Sequence, residues 1–303
     1  MCRSFNSFWP AGTGELASLH YAMAGNIPWW ARVVMSADHG VRMFSQAVSV
    51  VRDETMLAFI PPERRQTVTT AIYDRQRSYV PGGALFSLGL YDWERRLITT
   101  PPFPRPPARI LLGGAGGGRE VVPLRNLGYE VCAFEPSREL VAAGRAAIGA
   151  DSGATLIEGD YEDLVRAVHG ASTRLSELAK MHYDAVILGW GSLSYVFPQD
   201  ARSELLGAIK ILAPSAPVML SFIPRNVPEE RGRTAALRRV LRRVLRRRDR
   251  ESRSVESGEM FAPWIGFAYA LSAEEIQRIA AQTGYRPTLL ETIPYGHALL
   301  APA

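Results

Sequence analysis

Three glycines at alternate positions, Gly114, Gly116 and Gly118, stand directly after an apolar run, Ile110-Leu111-Leu112. Lacking Cβ atoms, they permit positive φ and let the backbone approach a ligand closely. The chemistry this suits is the cradling of a nucleotide-like group where a strand turns into a helix. That helix is supplied by Val121, Val122, Leu124 and Leu127 and ended by Gly128. A tight turn that only packs helix on strand is the competing reading of the same glycines. The dinucleotide fingerprint needs glycines at i, i+2 and i+5, but i+5 is Arg119 counted from Gly114 and Val121 counted from Gly116, so it is absent. A second apolar run, Tyr129 to Phe134, ends in Glu135-Pro136. An acid at a strand C-terminus can accept from both hydroxyls of a ribose, a role that nicotinamide enzymes share, so Glu135 alone does not discriminate.

Two further loops complete the constellation. A short strand over Ala154 to Ile157 leads into Glu158-Gly159-Asp160-Tyr161, and another over Tyr183 to Leu188 leads into Gly189-Trp190-Gly191-Ser192. The G-x-G-x-G loop, the acid and these two loops, in this order, resemble the motifs of the class I S-adenosylmethionine-dependent methyltransferases. The resemblance covers about residues 108–222 and 267–300. It implies S-adenosyl-L-methionine as cofactor, bound by Gly114, Ala115, Gly116, Gly118, Glu120, Glu135, Pro136, Gly159, Asp160, Tyr161, Gly189, Trp190 and Gly191. Glu135 would take the ribose, Asp160 the adenine amine, and the loop 189–195 would line the reaction site. The chain departs from the family at Leu112, where an acid is common, and Glu120 is the candidate to compensate. Methyl transfer needs alignment of acceptor, methyl carbon and departing sulfur more than it needs a base. His20, His39 and Tyr195 are the candidate bases; no catalytic residue is assigned. Asn/Asp-Pro-Pro-Tyr and Pro-Cys nucleophile signatures, which mark methylation of nucleic-acid bases, are absent.

The elements that must position these loops alternate strand and helix. A helix over 201–212, a fifth strand over 216–223, and a helix opened by the capping box Ser272/Glu275 and closed by Gly284 continue the pattern. Two closing strands, 288–293 and 297–300, form an antiparallel pair. The expected fold is a Rossmann-like three-layer α/β/α sandwich with a mostly parallel seven-stranded sheet and one antiparallel edge strand. Helical periodicity from Gly14 to Ile98, broken at Ile27-Pro28 and Ile60-Pro61-Pro62, predicts a helical cap over residues 1–100, joined by a proline-rich connector over 101–107 to the domain 108–303. Trp29, Trp30, Tyr73, Tyr79, Phe86, Tyr91 and Trp93 are candidates for an apolar pocket wall, with core packing the simpler role for each. Asp92 reads as a helix N-cap, and Tyr91 or Trp93 as a π face toward a sulfonium cation.

At 47% apolar and 21% charged, the 303 residues suit a globular chain. Cys2 and Cys132 support no disulfide framework, and the scattered histidines no metal site. No apolar run reaches the roughly 18 residues of a spanning helix, and a secretory signal is lacking, so a cytoplasmic protein is expected. The basic character is local. Arg231 to Arg253 holds eleven arginines and two acids, a charge of +9 within a chain of +5. Leu237, Val240, Leu241, Val244 and Leu245 make it an amphipathic helix, the centre of a helical insertion over 226–265. A docked or solvated insertion is the first reading; RNA or an anionic membrane surface are the other partners considered. The expected activity is methyl transfer to oxygen or nitrogen of a small organic acceptor. Alternatives are a methyltransferase reaching RNA or protein through the arginine helix, a nicotinamide oxidoreductase, and a non-catalytic S-adenosylmethionine-binding protein.

Overall fold

The computed structural model describes residues 28–149, 153–225, 233–248 and 258–303. Met1–Arg52 and Asp53–Ala303 are separate compact units. The first unit, as described, is the larger part of helix α1 (Trp29–Phe59). Cys2, His20 and the periodicity ahead of residue 28 lie outside the described residues. The second unit opens with α2 (Pro62–Tyr73) and α3 (Asp92–Ile98). The alternating body then runs β1 (Arg109–Gly113), α4 (Val121–Asn126), β2 (Glu130–Glu135), α5 (Arg138–Ile148), β3 (Ala154–Glu158), α6 (Tyr161–Val168), β4 (Ala185–Leu188), α7 (Gln199–Leu212) and β5 (Val218–Phe222). It closes with α8 (Arg233–Arg248), β6 (Glu259–Ala262), β7 (Gly266–Tyr269), α9 (Ala273–Gln282), β8 (Tyr285–Glu291) and β9 (Gly296–Pro302).

Seven strands form one sheet in the order β3-β2-β1-β4-β5-β9-β8. β1 to β5 are parallel, and β9 alone is reversed, pairing antiparallel with both β5 and β8. β9 and β8 thus form the antiparallel pair expected at one edge of the sheet. β1, β2, β4 and β5 are buried along nearly their whole length because both sheet faces are covered, whereas the edge strand β3 buries only Leu156. On one face Leu111, Phe134, Val186, Leu188 and Leu220 pack with Leu164 of α6, Leu205 and Ile209 of α7 and Ile276 of α9. On the other, Ile110, Leu112, Ala133, Ile187 and Met219 pack with Leu97 of α3, Val121 and Leu124 of α4 and Val141 of α5. Successive residues of each strand thus feed opposite layers, and three layers result.

The chain leaves β1 toward β2 and β3 on one side and returns to β4 on the other. This reversal opens a crevice at the strand C-termini between β1 and β4. The same ends carry the glycine loops 113–118 and 189–191.

Three features differ from the sequence reading. The compact unit includes residues 53–100, and the division falls at Arg52/Asp53 and not at the proline run. That run is packed on the sheet unit: Phe103 is buried, and Tyr129 Oη donates to the Pro104 carbonyl (2.9 Å). The expected helical insertion over 226–265 also contains the hairpin β6–β7, paired antiparallel from Glu259↔Tyr269 to Ala262↔Gly266. Short strands with a Pro-Trp turn give little periodicity, and the neighbouring arginines dominate the pattern. The hairpin holds α2 in place. Arg65 pairs with Glu259 (2.5 Å), and the Phe267 N–H donates to Thr69 Oγ1 (3.0 Å).

Candidate functional site

The crevice is a cavity of about 460 Å³, walled by the glycine loop, the ends of β2 and β3, the loop after β4, and one face each of α2 and α7. Gly114 and Gly116 have φ of +68° and +54°. The glycines do different work. An added Cβ at Gly116 would have no atom closer than Tyr79 at 3.9 Å, so its hydrogen faces open space. At Gly117 it would lie 2.3 Å from the Tyr79 carbonyl, and at Gly189 2.5 Å from the Gly114 carbonyl. Those two positions let chain approach chain, and Gly116 alone of the three turns its bare Cα toward the cavity.

Glu135 ends β2 at the cavity wall. Its Oε2 accepts from the Gly116 N–H (2.9 Å) and its Oε1 from the Ser137 N–H (3.1 Å). Ser137 caps α5 through the Leu140 N–H and donates its hydroxyl to Asp74 (2.6 Å). Burial pushes the Glu135 carboxyl up to about 7, and the two backbone donors oppose that rise without cancelling it. A carboxylate so held, with lone pairs remaining toward the cavity, is under-solvated and suited to accept from ligand hydroxyls.

Asp160 caps α6, its Oδ1 accepting from the Asp163 N–H (2.8 Å), and also lines the cavity; burial raises its pKa. Tyr161 packs edge-on against Phe134 and shares a hydrogen bond with Ser192 Oγ (2.6 Å), which ties the end of β3 to the loop after β4. Of the residues inferred from sequence, Gly114, Ala115, Gly116, Glu120, Glu135, Pro136, Asp160, Tyr161 and Trp190 line the cavity. Gly118, Gly159, Gly189 and Gly191 stand behind it. Gly118 faces Ile148 and Gly144 of α5, and Gly159 abuts Leu175. Gly191 takes φ +70° and donates its N–H to Ser221 Oγ (2.6 Å).

Arg119, unassigned from sequence, is buried beside the cavity. It donates to both carboxylate oxygens of Glu94 (2.9 and 2.6 Å), to Glu120 and to the Gly89 carbonyl, and its guanidinium lies 4.3 Å from the Tyr91 ring centroid. Tyr91 therefore faces an internal cation, and neither it nor Trp93 lines the cavity; Trp93 stacks on His297. The N-cap of α3 is Tyr91, whose N–H donates to Glu94 Oε2 (2.6 Å), so Asp92 is the first helical residue and not the cap.

The outer wall is aromatic and hydroxylic. Tyr73 Oη donates to Tyr195 Oη (2.8 Å), and Tyr79 packs edge-on to Tyr73. Burial pushes the Tyr195 phenol up to about 12 and the Tyr73 phenol well above its ordinary value, so both are protonated at neutral pH. No histidine lines the cavity among the described residues. Tyr73, Thr69 and Thr70 arrive on one face of α2, a spacing visible in the sequence but indistinguishable there from a packing stripe. Six acids line the cavity, Glu63, Glu120, Glu135, Asp160, Glu162 and Glu204, against two arginines, Arg119 and Arg166. Such a wall favours neutral or cationic ligand groups over polyanions. Among the described residues no group of His, Cys, Asp or Glu could hold a metal ion, and no helix is long and apolar enough to cross a membrane.

No family model matches the chain, and no curated protein matches it. Among solved structures it is similar to the S-adenosylmethionine-bound magnesium protoporphyrin IX methyltransferase of Synechocystis PCC 6803, with 16% identity, 65% of this chain and 71% of that one covered, and a TM-score of 0.40. It is also similar to a methyltransferase from Methanosarcina mazei (17%, 70% and 97% covered, TM-score 0.46) and to the PH0226 protein of Pyrococcus horikoshii OT3 (15%, 76% and 98% covered, TM-score 0.49).

Proposed function

We propose that this chain is an S-adenosylmethionine-dependent methyltransferase that alkylates oxygen or nitrogen of a small organic acceptor. The observation that carries the reading is Glu135, a buried carboxylate fixed by Gly116 and Ser137 at the crevice. Its remaining lone pairs suit a ribose diol. The acid-rich wall separates this cofactor from a nicotinamide dinucleotide. A sulfonium and an ammonium are stabilised by excess carboxylate, whereas a pyrophosphate would face six acids with Arg119 already engaged by Glu94 and Glu120. When bound, the cofactor supplies an electrophilic methyl group. Glu135 then orients the ribose, Asp160 serves the adenine amine, and Trp190, Ser192 and Tyr195 bound the acceptor side. Because Tyr195 stays protonated and no histidine among the described residues lines the cavity, the acceptor brings its own lone pair, as an amine or an acidic hydroxyl does.

Calorimetric titration with S-adenosylmethionine and, separately, with NADH tests the reading. Micromolar binding of the first, lost in Glu135→Ala, is expected. Binding of NADH alone, or undiminished binding by Glu135→Ala, refutes it.

A further inference from the structure

The arginine helix α8 is neither free nor fully docked. Glu54 near the end of α1 is buried and accepts from Arg242 Nε (2.7 Å) and Nη2 (3.0 Å), and Arg238 Nε approaches it at 2.9 Å. That pair sets the rotation of the helix about its axis. Leu237, Arg238, Leu241 and Arg242 are half-buried, and Ala236, Arg239, Val240, Arg243 and Val244 are turned outward. The apolar stripe read from sequence is thereby split. Leu237 and Leu241 face the protein, and the valines, Val240 at 57% and Val244 at 55% exposure, face solvent.

The outward face consequently carries two adjacent i, i+4 rows, Arg239–Arg243 and Val240–Val244. A solvated face has no use for the valine row, and a nucleic-acid backbone would engage only the arginine row. A bilayer interface uses both, because guanidinium groups meet anionic headgroups while short branched side chains enter the acyl boundary. The charge is also concentrated here: 231–253 carries +9, and the remainder of the chain is net acidic. We propose that the outward face of α8 docks this protein on an anionic phospholipid surface, lying along it without crossing. The proposal is independent of the cofactor reading.

Co-sedimentation of the full chain with phosphatidylcholine vesicles, with and without phosphatidylglycerol, tests it. Binding is expected only with phosphatidylglycerol, and it should weaken as salt rises. The double substitution Arg239→Glu/Arg243→Glu should lower vesicle affinity by roughly tenfold or more. Val240→Ser/Val244→Ser should lower it several-fold at every salt concentration. Circular dichroism and thermal melting of both variants, substituted only at exposed positions, verify that the fold is retained. Equal binding to both vesicle types overturns the proposal, as does wild-type affinity in either variant. Retention of a single-stranded RNA in place of vesicles overturns it in favour of a nucleic-acid partner.

Discussion

Replacing Glu135 by glutamine should stabilise the cofactor-free protein and weaken its cofactor binding together. The Glu135 carboxyl is pushed up to about 7 by burial, so the folded chain holds its proton more tightly than the unfolded chain, whose ordinary value is 4.5. Ionising it in place therefore destabilises the fold progressively as pH rises from about 4.5 through about 7, at roughly 1.36 kcal/mol per pH unit. The cost is about 3 kcal/mol at pH 8 and under about 1 kcal/mol at pH 5. Glutamine removes it. The amide also turns its NH2 toward one of the two backbone donors, Gly116 or Ser137, which loses about 1–2 kcal/mol at any pH. Urea unfolding should accordingly show the variant more stable than wild type by about 1–2 kcal/mol at pH 8 and no more stable, or less, at pH 5. S-adenosylmethionine affinity should fall by about ten- to a hundredfold, the worth of charge-assisted bonds to two hydroxyls. Wild-type affinity itself should rise between pH 6 and 8, because binding favours the ionised carboxylate. A stability difference that is the same at both pH values would show that the carboxylate is not strained by burial. Unchanged affinity would remove it from the ligand site.

Gly117→Ala should cost about 1–3 kcal/mol in a thermal melt, because its Cβ would collide with the Tyr79 carbonyl and push that loop off the glycine turn. Gly116→Ala clashes with no atom but must hold φ +54°, so about 1–2 kcal/mol is expected, with a separate loss of cofactor affinity in the calorimeter. Glu54→Gln removes the carboxylate that Arg238 and Arg242 share, and trypsin should then cleave within α8 at a markedly higher rate than in wild type. Cleavage at the wild-type rate would mean that the leucines alone hold the helix. Tyr195→Phe leaves the Tyr73 hydroxyl without its acceptor and should lower stability by about 1 kcal/mol while sparing cofactor affinity.

Much of the parallel body is legible in the chain because its signals are local. Ile110-Leu111-Leu112 followed by glycines, Ser272 with Glu275, and Gly284 each report their element within a few residues. The capping box forms as read, with Ser272 Oγ accepting from the Glu275 N–H (3.3 Å) and Glu275 Oε2 from the Ser272 N–H (2.7 Å). What was not legible depends on partners distant in sequence. Arg119 looks like an ordinary helix-start arginine until Glu94, 25 residues earlier, is folded beneath it. The face of α2 that walls the cavity shows weak amphipathic character, because one side packs on β7 and the other faces the cavity. The split of the α8 stripe is decided by Glu54, 188 residues from Arg242.

The glycine loop shows why residue type alone underdetermines function. Gly113, Gly114, Gly117 and Gly189 all meet an ideal Cβ clash under 3 Å with neighbouring chain, and in Gly117 and Gly189 the nearest atom is a backbone carbonyl. Their small size is required by folding whether or not a ligand exists, so losing binding on substituting them would say nothing about a site. Gly116 has no such neighbour, and its N–H is spent on Glu135. A packing account explains its positive φ but not the buried carboxylate it supports, which raises the energy of the empty protein at neutral pH. A fold retains a costly ionised group where something else gains from it, and a ligand that donates to Glu135 is the gain that the geometry offers. The pH dependence of stability, measured with and without S-adenosylmethionine, therefore bears on function directly. If the cofactor abolishes the loss of stability between pH 5 and 8, the carboxylate is held for it; if the loss persists undiminished, the strain serves no such ligand.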